Sequence, residues 1–339
     1  MGSGQRLMAA VGLGQVCCLL LTVTGVTSNL LATHGVSLPT TQSAMNYVLL
    51  AVVFGVARRF SREPSRVAMW RYALLAFFDV EANFLVVMAY KYTSITSVSL
   101  TSAFSVPMVM LASHWMQAAR YRALHVVGAI FAIAGLLILV LTDAHRRGDT
   151  TSGSNPLLGD ILVVIGASLY AGTNVVQEQL LGAAPLAEVM ANLGLCGAVL
   201  SAVQAALIEG QAVMQQVDWS RPIVAGALAG YIAALFGYYT IEPLILRLGG
   251  ATTLNLSLLA ANCWDAAARV FLLGGFSALA GRDFVVSLAF VTLGILCYSL
   301  AGPIKTPPRD AERGRGNGMH APLLMDEETQ EERRQDAAA

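Results

Sequence analysis

Charge is what this chain has least of. Asp, Glu, Lys and Arg make up 12% of its 339 residues, about half the roughly 25% of a soluble domain. The two signs cancel, so no basic or acidic surplus points to nucleic acid as a partner. Histidine is scarce too. The five are scattered and form no His-Glu-x-x-His pair, which excludes that class of metalloprotease. No glycine-flanked serine nucleophile or aspartate pair marks an intramembrane protease. Five cysteines (Cys17, Cys18, Cys196, Cys263 and Cys297) sit in apolar runs without metal-ligand or disulfide spacing. They read as structural thiols. Neither a metal nor a cofactor is expected.

Hydrophobic sequence is abundant instead, at 56% of residues and a mean hydropathy of +0.62. A membrane span needs about 20 apolar residues. Ten such runs follow one another: 8–33, 43–60, 70–91, 96–118, 122–142, 157–181, 186–208, 222–247, 251–275 and 283–302. Their connections are mostly short, so they form one bundle. The first run is too long for a signal peptide and has no cleavage site. Arg58, Arg59, Arg62, Arg66 and Arg71 crowd the second connection, and Arg120, Arg122, Arg247, Lys305 and Arg309 fall on the same side. The positive-inside rule makes that side cytoplasmic, with both termini there. Lys91, Arg146, Arg147, Arg221 and Arg282 are exceptions on the far side. Residues 303–339, rich in charge, Gly and Pro, read as a disordered cytoplasmic tail.

Two halves repeat faintly. Gly14, Gln15 and Asn29 in the first span match Gly159, Asp160 and Asn174 in the sixth at a constant offset of 145 (159 − 14). Thr96–Thr101 matches Thr252–Ser257 at an offset of 156 (252 − 96). Five spans per half is an odd number, so the halves sit inverted in the membrane, as in many secondary transporters. The division expected is a first repeat over 1–145 and a second over 146–302. The fold expected is an all-α polytopic membrane protein with ten transmembrane helices in two inverted five-helix repeats.

Asp79-Val80-Glu81-Ala82-Asn83 lies inside the third span. Each carboxylate at mid-bilayer costs about 2.5–3.5 kcal/mol on insertion scales. Asp79 and Asn83, four apart, share a helical face, and Glu81 points roughly opposite. One face is expected to look into a central cavity and the other to pair within the bundle. Tyr170, Asn174, Gln177 and Glu178 form a polar stripe on the sixth span, and Asn29 repeats Asn174. Asn255 and Asp265 lie on the ninth span. Asp265 and Arg269 have the spacing of an ion pair. Glu242-Pro243 and Pro107 mark expected kinks, because proline removes a backbone donor. Candidate substrate-binding or coupling residues are therefore Asp79, Glu81, Asn83, Asn29, Tyr170, Asn174, Glu178, Asn255 and Asp265. Each has a structural alternative, as an interhelical bond, a cap or an interfacial group.

The chain resembles solute carrier family 35, subfamily F, of the drug/metabolite transporter superfamily. The resemblance runs from Gly14 to Pro303. It rests on Asp79-Val-Glu-Ala-Asn83 with Ala89-Tyr90 and Tyr92-Thr93, and on Thr96-Ser97-Val98. Arg120-Tyr121-Arg122 with His125, Gly159-Asp160-Ile161-Leu162 and Gly166–Ala171 with Asn174-Val175 and Glu178 add to it. Ala251-Thr252 with Asn255-Leu256 completes the set. The chain departs in the ninth span, where Asn262 stands in place of an expected acid. The resemblance implies two inverted five-helix repeats and an alternating-access carrier.

Related family-35 carriers exchange nucleotide sugars for nucleoside monophosphates, and phosphate recognition favours Arg or Lys. Those are few in this membrane core, while Asp79, Glu81, Glu242 and Asp265 are deep acids. An acidic cavity suits a neutral or cationic solute, and burial favours a protonatable carboxyl. The resemblance points the same way, to a nucleobase-like or cationic heterocycle, with nucleotide-sugar antiport as the alternative. A scaffold explains ten spans but not inverted halves. Expected partners are a small-molecule substrate, the lipid bilayer and protons, with a homodimer left open. The expected location is the plasma membrane or an endomembrane of the Golgi or endosome.

Overall fold

A computed structural model describes residues 3–34, 36, 38–60, 67–89, 92, 104–147, 156–210, 221–261, 264, 282–302 and 304. The chain divides into Met1–Lys305 and Thr306–Ala339, and every described residue belongs to the first unit. The tail expected over 303–339 therefore falls almost wholly outside the described residues.

Nine helices are recorded among the described residues: α1 (Ser3–Thr33), α2 (Pro39–Phe60), α3 (Met69–Ala89), α4 (Ser105–Gln117), α5 (Ala123–Arg147), α6 (Pro156–Leu181), α7 (Leu186–Ile208), α8 (Pro222–Leu258) and α9 (Arg282–Leu300). Long apolar runs become helices because lipid offers backbone groups no partner but one another. Proline sets many of the starts. Pro39, Pro156 and Pro222 each open a helix, and Pro185 is the residue before α7. A missing N–H costs nothing in the first turn. Pro107 sits in the first turn of α4, and the part of the expected fourth span before Phe104 lies outside the described residues. Pro243 lies inside α8, where its ring removes a backbone bond.

The eighth and ninth expected spans run together in α8, which breaks at Gly250 (φ 78°, ψ 172°). That backbone region is essentially closed to other residues. The helix resumes at Ala251, whose N–H donates to Glu178 Oε2 at 2.8 Å. Five helical stretches among the described residues are long and apolar enough to cross a membrane: 5–28, 40–60, 157–181, 186–208 and 222–258.

The most extensive contacts join α1 to α8, α2 to α7 and α5 to α9, followed by α3 to α6. Glycine permits the closest approaches. A Cβ on Gly197 would stand 2.7 Å from the Tyr47 ring, and one on Gly194 would collide with the Ala51 backbone nitrogen. Gly128 and Gly294 make a similar contact between α5 and α9, where a Cβ on Gly128 would lie 2.7 Å from the Gly294 carbonyl. Behind these contacts the main core collects Tyr47, Leu50, Leu75, Val175, Leu193 and Tyr239. On the outer faces Val48, Val52 and Val56 of α2, and Leu195, Val199 and Val203 of α7, are half or more exposed. Such one-turn stripes of bare aliphatic surface fit lipid, because water-soluble monomers rarely leave apolar patches of that extent uncovered. The chain is a multi-pass integral membrane protein.

Candidate functional site: a carboxylate cluster between α2, α3, α6 and α8

Asp79 is 4% exposed in the middle of α3. Its Oδ2 accepts from the Tyr47 hydroxyl of α2 at 2.5 Å and from the Tyr239 hydroxyl of α8 at 2.7 Å. The two tyrosine rings meet edge to face with centroids 6.0 Å apart, so each side chain braces the other. Asn83, one turn along α3, donates Nδ2 to the Asp79 carbonyl at 3.0 Å and to the Tyr47 hydroxyl at 3.4 Å. Phenolic donors to a carboxylate are charge-assisted and among the stronger hydrogen bonds a protein makes.

A second acid lies one turn along α8 from Tyr239. Glu242 is 2% exposed, and its Oε2 accepts from Gln177 Nε2 of α6 at 2.9 Å. The same Gln177 nitrogen lies 3.7 Å from Met190 Sδ of α7. Tyr170 of α6 is within electrostatic range of Tyr47, Tyr238 and Tyr239. Among the described residues no cation pairs with Asp79 or Glu242. The recorded ion pair, Arg58 with Glu188 at 3.8 Å, joins the C-terminal end of α2 to the start of α7. Tyr72 also donates to Glu188, at 2.8 Å.

A narrow crevice of about 20 Å³, room for roughly one water, reaches this cluster between α2, α3 and α7. Ser43, Tyr47, Asn83, Phe84, Ser201 and Gln204 line it. Ser201 Oγ and Gln204 Oε1 are buried there without hydrogen-bond partners. A polar, uncharged wall with free bonding capacity stands next to a buried carboxylate.

The sequence-derived candidates separate into two groups. Asp79 and Asn83 come together in the cluster, and Tyr170 stands within electrostatic range of its tyrosines. Asn174 is buried on α6, one turn before Gln177 and Glu178. Glu81 points away from Asp79 and accepts from Gln204 Nε2 of α7 at 3.0 Å. Glu178 holds the start of the helix after Gly250, and Asn255 donates to the Ala251 carbonyl at 2.9 Å. Both of those bonds tie backbone rather than line the cluster. Asn29 lies on α1, but its side chain is outside the described residues, as are Asp265 and Arg269. Sequence reasoning counted Glu242 as a deep acid and assigned it no site role. It placed Gln177 in the polar stripe of the sixth span without a site role, and it did not single out Tyr47. The available signal was the Tyr239–Glu242 spacing, which puts a phenol and an acid on one helical face.

With this geometry in place, comparison with known proteins names the family. The model described as SLC35F, solute carrier family 35, matches residues 3–300. The chain belongs to solute carrier family 35. Solute carrier family 35 member F2 of Mus musculus is 32% identical over 315 residues, covering 90% of this chain and 81% of that protein. The protein of that name in Xenopus tropicalis is 33% identical over 307 residues, covering 87% and 77%. A family-35 member of Schizosaccharomyces pombe, named as uncharacterized, is 32% identical over 277 residues, covering 80% and 54%. One solved crystal structure shares the fold at a TM-score of 0.69 and 20% identity, covering 86% of this chain and 97% of that one. Membership in solute carrier family 35 points to a transporter rather than an enzyme.

Proposed function

We propose that this family-35 carrier is a secondary-active transporter. It moves a nucleobase-like or cationic heterocycle by alternating access, with Asp79 as the central binding or coupling group. The observation that carries this reading is the Asp79 carboxylate, buried mid-helix on two tyrosine hydroxyls with no cation against it among the described residues. A carboxylate can accept from ring N–H donors or attract a cationic ring, and tyrosine faces can stack on it. The Asn83 amide adds a donor and an acceptor beside them.

Two inverted repeats over 1–145 and 146–302 are part of the same proposal. The helix pairing supports them. α1 with α8 and α3 with α6 are counterparts if the first and third helices of one half exchange partners with those of the other. Cytoplasmic termini, a plasma-membrane or endomembrane location and protons as the coupling ion complete the reading. Self-association into a homodimer is compatible with it.

Uptake of a radiolabelled purine base into proteoliposomes tests it. Unlabelled purine-like bases should compete, and Asp79→Asn should lower uptake at least tenfold. Trans-stimulation by UMP or GMP, with no competition by bases, would replace this reading with nucleotide-sugar antiport. Uptake unchanged in Asp79→Asn would return that residue to a purely structural role.

A further inference from the structure

Glu242 stands apart from the Asp79 shell in its bonding. Asp79 has two phenolic donors. Glu242 has one recorded donor, the neutral amide of Gln177. A buried ion without a countercharge costs several kcal/mol, and a second carboxylate nearby adds repulsion. The groups facing Glu242 supply no relief. α1 presents Cys17, α3 presents Asp79, α6 presents Gln177 with Tyr170 beyond, and α2 presents Tyr47 through the Asp79 shell. On α8 itself stand Tyr238 and Tyr239. α7 offers Met190, which does not titrate. Arg247, further along α8, is engaged by the Ala184 carbonyl at 3.2 Å.

The backbone around Glu242 lacks one helical hydrogen bond. Pro243 follows it, so the Tyr239 carbonyl four residues before that proline lacks its helical donor. Tyr239 is the residue whose hydroxyl holds Asp79. One turn of α8 thus carries the second acid, a broken backbone bond and a ligand of the first acid. On α6, Thr173 lies one turn before Gln177 on the same face, 2% exposed with its hydroxyl unpartnered. Its hydroxyl has free bonding capacity one turn from the Gln177 amide.

We propose that Glu242 is the proton-binding residue of the carrier, distinct from the Asp79 shell that receives the solute, and that Gln177 is its positioning residue. Proton binding removes the charge on Glu242 and adds an O–H donor, while Oε2 can still accept from Gln177. The new donor needs an acceptor of its own, and the missing helical hydrogen bond at Pro243 lets the Tyr239 turn adjust to it. This rests on the transporter reading above, so the test has one arm that needs no solute.

In that arm, infrared difference spectra of the purified protein in lipid compare mildly acidic with mildly alkaline buffer. A carboxylic-acid C=O band should be present, be lost in Glu242→Gln and persist in Asp79→Asn. A band unaltered in a Glu242→Gln protein that elutes like wild type overturns the proposal. If Glu242→Gln does not fold, Gln177→Leu should shift the band by removing its donor, and an unshifted band overturns the proposal equally. In the second arm, labelled purine base is taken up with and without an imposed proton gradient. In Glu242→Gln the two rates should become equal, whereas Asp79→Asn should lose uptake itself. A gradient effect of wild-type size in Glu242→Gln overturns the proposal. If wild type takes up no base, the solute reading fails and the infrared arm alone decides the proton site.

Discussion

Two hydroxyls converge on one oxygen of Asp79, and this defines the site at the scale of residues. A hydrogen bond to a charged group contributes about 1.5–3 kcal/mol net. Tyr47→Phe or Tyr239→Phe should therefore destabilise the protein by about that much, read as a lowered thermal midpoint in detergent. The double variant should lose more than the sum of the two, because the remaining phenol shields Asp79 in each single variant. Strictly additive losses would show that the two bonds act independently. A second carboxylate acts at a helix end. Glu209 accepts from the Thr40 and Thr41 backbone N–H groups at 2.8 and 2.9 Å and from the Thr41 hydroxyl at 2.7 Å. It thereby ties the end of α7 to the start of α2, where the helix dipole favours an anion. Glu209→Gln keeps the shape and loses the charge. It should cost about 1–2 kcal/mol in the same measurement, and an unchanged midpoint would show the cap to be dispensable.

At the scale of elements, helix spacing is set by where side chains are missing. α2 and α7 touch at Gly194 and Gly197, and α7 has no room to turn there. Gly194→Val should cost about 1–3 kcal/mol or more through overpacking. Gly226→Ala, on an open face of α8 with nothing within 4 Å of its added Cβ, should be neutral or stabilising by up to about 1 kcal/mol. Equal effects from the two would refute glycine-mediated packing. Gly250 serves the backbone instead. Its φ of 78° closes the position to other residues, and an added Cβ would meet Glu178 Oε1 at 3.1 Å. Gly250→Ala should cost about 1–3 kcal/mol and loosen the Glu178 cap, seen as faster amide exchange at Ala251.

At the scale of the whole molecule, each of the four most extensive helix contacts joins one of α1–α5 to one of α6–α9. α1 needs α8, α2 needs α7, α3 needs α6 and α5 needs α9. Neither set of helices buries these interfaces alone. Fragments cut between α5 and α6 should co-purify when expressed together, and each should aggregate or be degraded when expressed singly. A first half that is monodisperse by itself would contradict this dependence. The backbone break at Gly250 and the missing hydrogen bond at Pro243 both lie in α8, so large rearrangements are expected there rather than within the glycine-locked α2–α7 pair.

The amino-acid sequence by itself determined the properties that are local. Apolar length is a sum over neighbouring residues, so most of the helices were legible from it to within a few positions. Asp79 was legible as a candidate for the same reason, since the cost of an acid in lipid needs no partner to be known. Tertiary structure decided the rest. Tyr47 is an ordinary aromatic of α2 until folding brings it across 32 residues to Asp79, and Tyr239 meets the same carboxylate across 160. Glu81 and Glu178 were candidates beside Asp79, and folding gave them other partners: one pairs with Gln204 and the other caps Ala251. A carboxylate's role follows from which donors reach it. Helix packing sets those donors, because hydrogen bonds act over about 3 Å while the sequence brings together only residues that are adjacent along the chain.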